Sequence, residues 1–353
     1  MAEPRLAAYE IREADPVSDR AHILEVWNAN LKAHSAAQHE VRYDWTHRAP
    51  TGGARHWLAF RDGRPVGTAG LNLRQVAMHG KTLLAGLAVD FAVDRMHRLM
   101  QPALSLQKAV FATLNADVHL IYGLPAMAAL PVFERQGYKR VGVLRRYVKV
   151  LRTKRFLQAA GGAKKKLAHF SSVIDVVAWL RSAETWRGLR AGRSLQRIDE
   201  FDAQFDELFS RLRGLHEVIG IRDARFLRWR YSECPLQLYE TLGLFDGGRL
   251  VGYVTWYGSD DQQHRVVDFM TDGADGAAED LLVGLNRIAR QQGAASIAFE
   301  FFGGDALEPC LRRFGFVSRE SNIPLIANAA NAETFDPLSH WYFTRGDENV
   351  NTR

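Results

Sequence analysis

The tripeptide Val89-Asp90-Phe91 returns as Val267-Asp268-Phe269, 178 residues further along a chain of 353. A lone tripeptide match would carry little, but its surroundings follow. Ala88 to Asp94 (AVDFAVD) lies over Val266 to Asp272 (VVDFMTD), and Glu134 to Tyr138 (ERQGY) over Arg312 to Phe316 (RRFGF), at the same offset. A third segment, Asp62 to Gly67 (DGRPVG), matches Gly247 to Gly252 (GGRLVG) at an offset of 185. Separated matches at one offset imply an internal duplication, and a duplication fixes the fold as one unit used twice. The length accommodates two ordinary domains.

Periodicity fills in the unit. Residues 8–13 read as a strand, and 17–34 as a helix with Ile23, Leu24, Val26, Trp27 and Leu31 at helical spacing. HWLAF (56–60) and PVGTAGLNL (65–73) flank Asp62-Gly63 as a hairpin. A strand at 82–90, a helix at 99–116, the strand HLIYG (119–123) and a helix near 127–136 ending at Gly137 follow. A strand pair between Tyr138 and Leu151 is expected to close this half. After residue 196 the order repeats: helix 201–215, strands 237–245, 249–258 and 264–270, helix 277–291, strand 295–302, helix 306–314. The predicted architecture is α/β (α+β). It has two tandem domains, 1–152 and 196–353, each a mixed, mostly antiparallel sheet flanked by helices. A connector over 153–195 joins them, too apolar at Phe170, Ile174, Val177 and Trp179 to dangle.

Charge is uneven. Lys139 to Lys166 holds 11 Lys or Arg and no acid, so the remainder of a +6 chain is near −5. That run could face an anionic partner or simply be solvated. As an RNA surface it is poor in stacking aromatics, with Tyr147 and Phe156 only. Two cysteines imply no disulfide framework, and with no secretory-type leader in MAEPRLAAYEIREADP a cytoplasmic setting is expected. No apolar run approaches the ~20 residues of a membrane span. Metal-ligand spacings, a nucleophile elbow and a Walker loop are absent from the sequence.

The element order and the segment His97-Arg98-Leu99-Met100-Gln101-Pro102-Ala103 resemble the GNAT superfamily of N-acyltransferases. There a central strand runs into an Arg/Gln-x-x-Gly-x-Gly/Ala loop that opens a helix, whose free N–H groups hold the pyrophosphate of coenzyme A. The resemblance implies an acyl-CoA site at Arg98, Leu99, Met100, Gln101, Pro102 and Ala103. Leu87, Ala88 and Val89 of the preceding strand would supply the oxyanion donor. Arg98 and Ala103 fit the pattern, and Pro102 suits a first helical turn. Gln101 replaces the glycine, Ala126 stands where the family often has Asn, and Phe133 where it often has a general-acid Tyr.

The second copy, Gly273-Ala274-Asp275-Gly276-Ala277-Ala278, has no Arg, and Asp275 and Glu279 would repel phosphate. Leu311 stands at the Tyr position there. This half is therefore expected not to hold coenzyme A. Arg222 to Tyr231 is similar to a segment of tandem GNAT-like proteins from polysaccharide and cell-envelope loci, and Fem-type aminoacyl transferases share a two-domain arrangement.

Acyl transfer to an amine needs a held thioester, a base and oxyanion donors. Asp90, Asp94 and His97 are the candidate catalytic residues, and Arg222, Arg230 and Asp268 the candidate substrate residues. Asp90 can also be read as a strand-end carboxylate tied to an Arg, Asp268 as its structural echo, and Cys310 as a buried structural thiol. Three functions remain open. One is transfer from an acyl-CoA or carrier-protein thioester to a small-molecule or sugar amine. The others are a Fem-like aminoacyl-tRNA-dependent transferase and a non-catalytic binding protein. The chain would act as a monomer with an internal pseudo-dimer or as a homodimer.

Overall fold

The computed structural model describes residues 9–98, 100–114, 117–159, 168–330 and 341–349. Leu99, the Met100 side chain, and Gly161, Gly162 and Lys164 to Lys166 of the connector lie outside the described residues.

The first half contains β1 (Glu10–Glu13), α1 (Arg20–Asn30), α2 (Ala36–His47), β2 (Ala54–Arg61), β3 (Arg64–Met78) and β4 (Lys81–Val93). It continues with α3 (Met100–Phe111), β5 (Leu120–Gly123), α4 (Leu130–Arg135), β6 (Lys139–Val143) and β7 (Arg145–Val150). The connector carries α5 (Lys154–Ala159), α6 (Ser171–Leu180) and α7 (Ala183–Trp186). The second half is β8 (Arg193–Arg197), α8 (Ala203–Leu212), β9 (Val218–Gly220), α9 (Ala224–Leu227), β10 (Glu240–Asp246), β11 (Arg249–Gly258) and β12 (Gln263–Thr271). It ends with α10 (Ala277–Gln291), β13 (Ser296–Phe302), α11 (Leu307–Arg313), β14 (Val317–Arg319), β15 (Pro324–Ala329) and β16 (Trp341–Thr344). The expected helix at 277–291 matches α10 to the residue. α2 has no counterpart among the elements expected from periodicity; Ser35 and Gln38 form the reciprocal capping box that starts it.

Pairing runs β1-β2-β3-β4-β5-β15-β6 in one sheet and β8-β10-β11-β12-β13-β7-β14 in the other. Each sheet is antiparallel except for one parallel pair, β4·β5 and β12·β13. The halves also exchange a strand. β7, which the sequence placed as the closing strand of the first half, inserts between β13 and β14 of the second. β15 of the second half inserts between β5 and β6 of the first, with Ile326 opposite Gly123. Period-two alternation selects a strand's buried face but not the sheet it joins, so tertiary pairing decides this.

Between the sheets, β9 pairs with the end of β3, and β16 bridges β9 and β13. Trp45 and Trp229 pack against each other between the halves. Their rings stack at 4.4 Å, and each Nε1–H donates to the other's carbonyl at 3.2 Å.

Part of the acid-free run meets acids in three dimensions. Arg140 pairs with Glu134, Arg145 with Glu308 and Asp305, Arg146 with Glu300, and Lys149 with Glu184. Most of these acids come from the other half.

Candidate active site

In the first half the parallel ladder between β4 and β5 stops at Ala88 opposite Gly123, and the strands then part. A β-bulge at this point, where β4 skips register against Thr68 and Gly70 of β3, puts Asp90 at φ +55°. A short polar side chain is among the few that tolerate this left-handed geometry. The gap is a cleft of about 310 Å³, walled by Leu87 to Phe91 of β4, Gly123 to Ala126 after β5, and Ala129 and Phe133 beside α4. Residues 30–34 and Arg42 close one side, and Glu348 and Asn349 reach in from the chain's far end.

Asp90 points its carboxylate, 6% exposed, at Arg42 of α2, 2.8 Å away, with His56 Nε2 at 3.5 Å. Burial pushes its pKa up, but the Arg42 guanidinium, together with the nearby His56 imidazole, outweighs burial and holds it below the usual carboxylate range. Asp94 accepts from Asn30 Nδ2 at 2.5 Å where β4 ends. His97 meets the Tyr9 hydroxyl at 3.1 Å in the turn before α3, and neither Asp94 nor His97 lines the cleft. Arg98 donates to the Val93 carbonyl at 3.1 Å, Gln101 is exposed at the start of α3, and Pro102 and Ala103 pack inward. Phe133 packs edge-on against Phe91 and Tyr138, so no hydroxyl enters the cleft from that position.

α2 also buries His39, whose Nδ1 lies 2.8 Å from Asn28 Oδ1. Burial, with help from the Arg42 charge, pushes its pKa down to about 4. The unfolded chain therefore binds a proton below about pH 6.5 that the folded protein refuses until about pH 4. Stability attributable to His39 is complete above pH 6.5 and is lost as the pH falls through that window. Urea midpoints are expected to show a loss on the order of 2 kcal/mol between about pH 7 and pH 5, a loss that His39→Gln flattens.

In the second half the ladder between β12 and β13 ends at Val266 opposite Phe299, again before the Val-Asp-Phe copy. Here the gap is filled. β16 pairs with Phe301 and Phe302, and the Tyr342 hydroxyl donates to the Phe269 carbonyl at 2.6 Å. Asp268, fully buried, accepts from Arg222 Nε at 2.9 Å, Tyr253 at 2.9 Å, Tyr231 at 3.1 Å and Thr344 at 2.9 Å. Arg222 also donates to Asp347 at 2.7 and 2.8 Å, and Asp347 is 3.0 Å from Arg74 of the first half. A Cβ at Gly346 would press on the Tyr231 hydroxyl and crowd the Asp268 carboxyl at 3.2 Å, so a side chain there would push Tyr231 out of its place in the clasp.

Arg222 and Asp268 thus form a buried clasp. Arg230 is buried beside them, donating to the Tyr239 hydroxyl at 3.0 Å and the Glu348 carbonyl at 3.3 Å. The candidate substrate residues hold the C-terminal segment and do not line the first-half cleft, although Arg230 borders a small pocket of about 30 Å³ with Trp45, Arg74 and Asp347. Asp275 and Glu279 pair with Arg190 and Arg313. Cys234 and Cys310 are free and buried, and burial pushes the Cys310 thiol up to about 12. Among the described residues, no group of three His, Cys, Asp or Glu side chains could hold a metal, and no helix is long and apolar enough to cross a membrane.

A strand pair that splays after a bulge, repeated twice, defines the GNAT fold, and comparison with known proteins agrees. No protein-family model and no curated relative matches the sequence. Among solved structures, a probable N-acyltransferase from Enterococcus faecalis has a TM-score of 0.66 at 14% identity, covering 93% of this chain and 74% of its own. A GCN5-related N-acetyltransferase from Anabaena variabilis has a TM-score of 0.66 at 12% identity, covering 92% and 73%. N-myristoyltransferase from Saccharomyces cerevisiae, solved with myristoyl-CoA, has a TM-score of 0.57 at 12% identity, covering 99% and 91%. At these identities the likeness concerns the fold alone: the chain carries the GNAT fold across nearly its whole length.

Proposed function

We propose that the protein is an N-acyltransferase that takes its acyl group from a coenzyme A thioester and works in the first half only. The observation that carries this reading is the asymmetry of the two splays: β4 and β5 open onto a cleft, while β12 and β13 close over the chain's own end. In this reading the thioester enters along β4, with its carbonyl at Leu87 to Val89, where the backbone leaves the ladder with β5 and has N–H groups to offer an oxyanion. The pyrophosphate meets the start of α3, where Met100, Gln101 and Ala103 have N–H groups without helical partners and Arg98 adds charge. Pro102 has no N–H to lose.

Asp90, kept ionised by Arg42, anchors the ammonium of the incoming amine at the cleft wall, and solvent takes the ammonium proton before the free amine attacks the thioester. Asp94 and His97 shape the turn into the phosphate loop. Phe133 has no proton to give, so the departing thiolate takes its proton from solvent or from the attacking amine. The acceptor is a small-molecule or sugar amine. The pairing of Arg140, Arg145, Arg146 and Lys149 with acids removes much of the support for an aminoacyl-tRNA donor.

Thermal unfolding with coenzyme A, acetyl-CoA and longer acyl-CoAs tests the reading. A ligand at about 100 times its Kd stabilises the folded state by about 2.7 kcal/mol, a shift of several degrees. Stabilisation by the thioesters that Arg98→Glu weakens is expected. A melting temperature indifferent to every thioester would sink the proposal.

A further inference from the structure

α6 shows its apolar side to solvent. Its sequence, SSVIDVVAWL, contains one charge, and Phe170, Val173, Val176, Val177 and Leu180 are all exposed. At 100° per residue these five fall within one third of the helix circumference. Phe170 and Val173 are each 63% exposed. Trp179 is also exposed, and Trp186 beyond the helix is 76% exposed with its Nε1–H already donated to the Leu180 carbonyl. Its apolar body is therefore what remains to be covered. Monomeric proteins rarely leave such a contiguous stripe uncovered.

Charge identifies the cover. Residues 139–190 carry fourteen Lys or Arg against two acids, a net +12 in a chain of +6. Both acids turn inward: Asp175 accepts the Thr153 N–H at 2.9 Å, and Glu184 is held by Lys149 and Arg290. Several of the basic residues are paired, but Arg152, Lys154 and Arg181 are exposed and meet no acid among the described residues. A second copy docked face to face would bring like charges together. An apolar stripe with exposed tryptophans, in a segment of net positive charge that also exposes Arg152, Lys154 and Arg181, matches an anionic lipid surface, where aliphatic and indole groups enter the headgroup boundary and Lys and Arg meet phosphate.

We infer that the connector docks the protein on anionic membrane surfaces through the exposed face of α6. This site lies outside the cleft and stands independently of the reading given for it.

Co-sedimentation of the full chain with phosphatidylcholine vesicles, with and without phosphatidylglycerol, tests it. Binding to the anionic vesicles is expected to exceed binding to the neutral ones by at least about tenfold and to weaken with salt. The double variant Val173→Glu, Val177→Glu should lose at least about tenfold of that binding while keeping its melting temperature, because both side chains are exposed. Absence of binding, or binding that the double variant leaves unchanged, would overturn the inference. So would a wild-type dimer that the same variant converts to a monomer, which would assign the stripe to a second copy.

Discussion

Asp268→Ala is expected to lower the unfolding free energy by about 3–5 kcal/mol. The carboxylate has no exposure and satisfies four donors, Arg222, Tyr231, Tyr253 and Thr344. Removing it strands part of the Arg222 guanidinium and three hydroxyls away from water, and each unsatisfied group carries its own desolvation cost. Asp347 would hold the other edge of Arg222, which keeps the loss within that range. Urea unfolding measures it, and a loss below about 1 kcal/mol would show that the clasp is dispensable.

Ala129→Trp is expected to leave the fold intact and remove function. Ala129 is half-buried on the wall of the cleft, so an indole there would project into a volume of about 310 Å³. Acyl-CoA affinity should fall by at least about tenfold, with the melting temperature within a few degrees of wild type. Transfer should fall at least as far, because a displaced thioester loses its alignment with the amine. Isothermal titration and a thiol-release assay read the two effects. Unchanged affinity would place the thioester elsewhere. The two variants separate the halves: one loosens the closed splay, the other blocks the open one.

Much of this was legible from the repeated Val-Asp-Phe. It located both strand ends, and the ladders stop one residue before each copy, at Ala88 and Val266. The alternative reading of Asp90 as a carboxylate tied to an arginine also has a physical counterpart, although the partner could not be chosen. Arg42 lies 48 residues away on a helix that the Ser35–Gln38 cap begins.

Closure of the second splay was not legible. The sequence offered Asp275 and Glu279 as repulsive to phosphate, yet both are paired, and what fills the site is the downstream strand Trp341–Thr344. No local pattern announces that Gly346 must fit beneath the Tyr231 hydroxyl. Arg222 and Arg230 looked like ligand-binding arginines because their type and spacing suit anions. Burial is what turned them to internal use, and burial is a tertiary property.

The exchange of β7 and β15 limits where the polypeptide could be severed. A fragment ending at residue 152 would keep a strand whose neighbours lie elsewhere and would lack the one that belongs between β5 and β6. The complementary fragment would have the mirror defect. Each piece would expose a groove shaped for its missing strand, so the two would be chaperones for each other before they could be enzymes or scaffolds. The strand exchange makes the two halves inseparable, and the unit that folds is the interlocked pair.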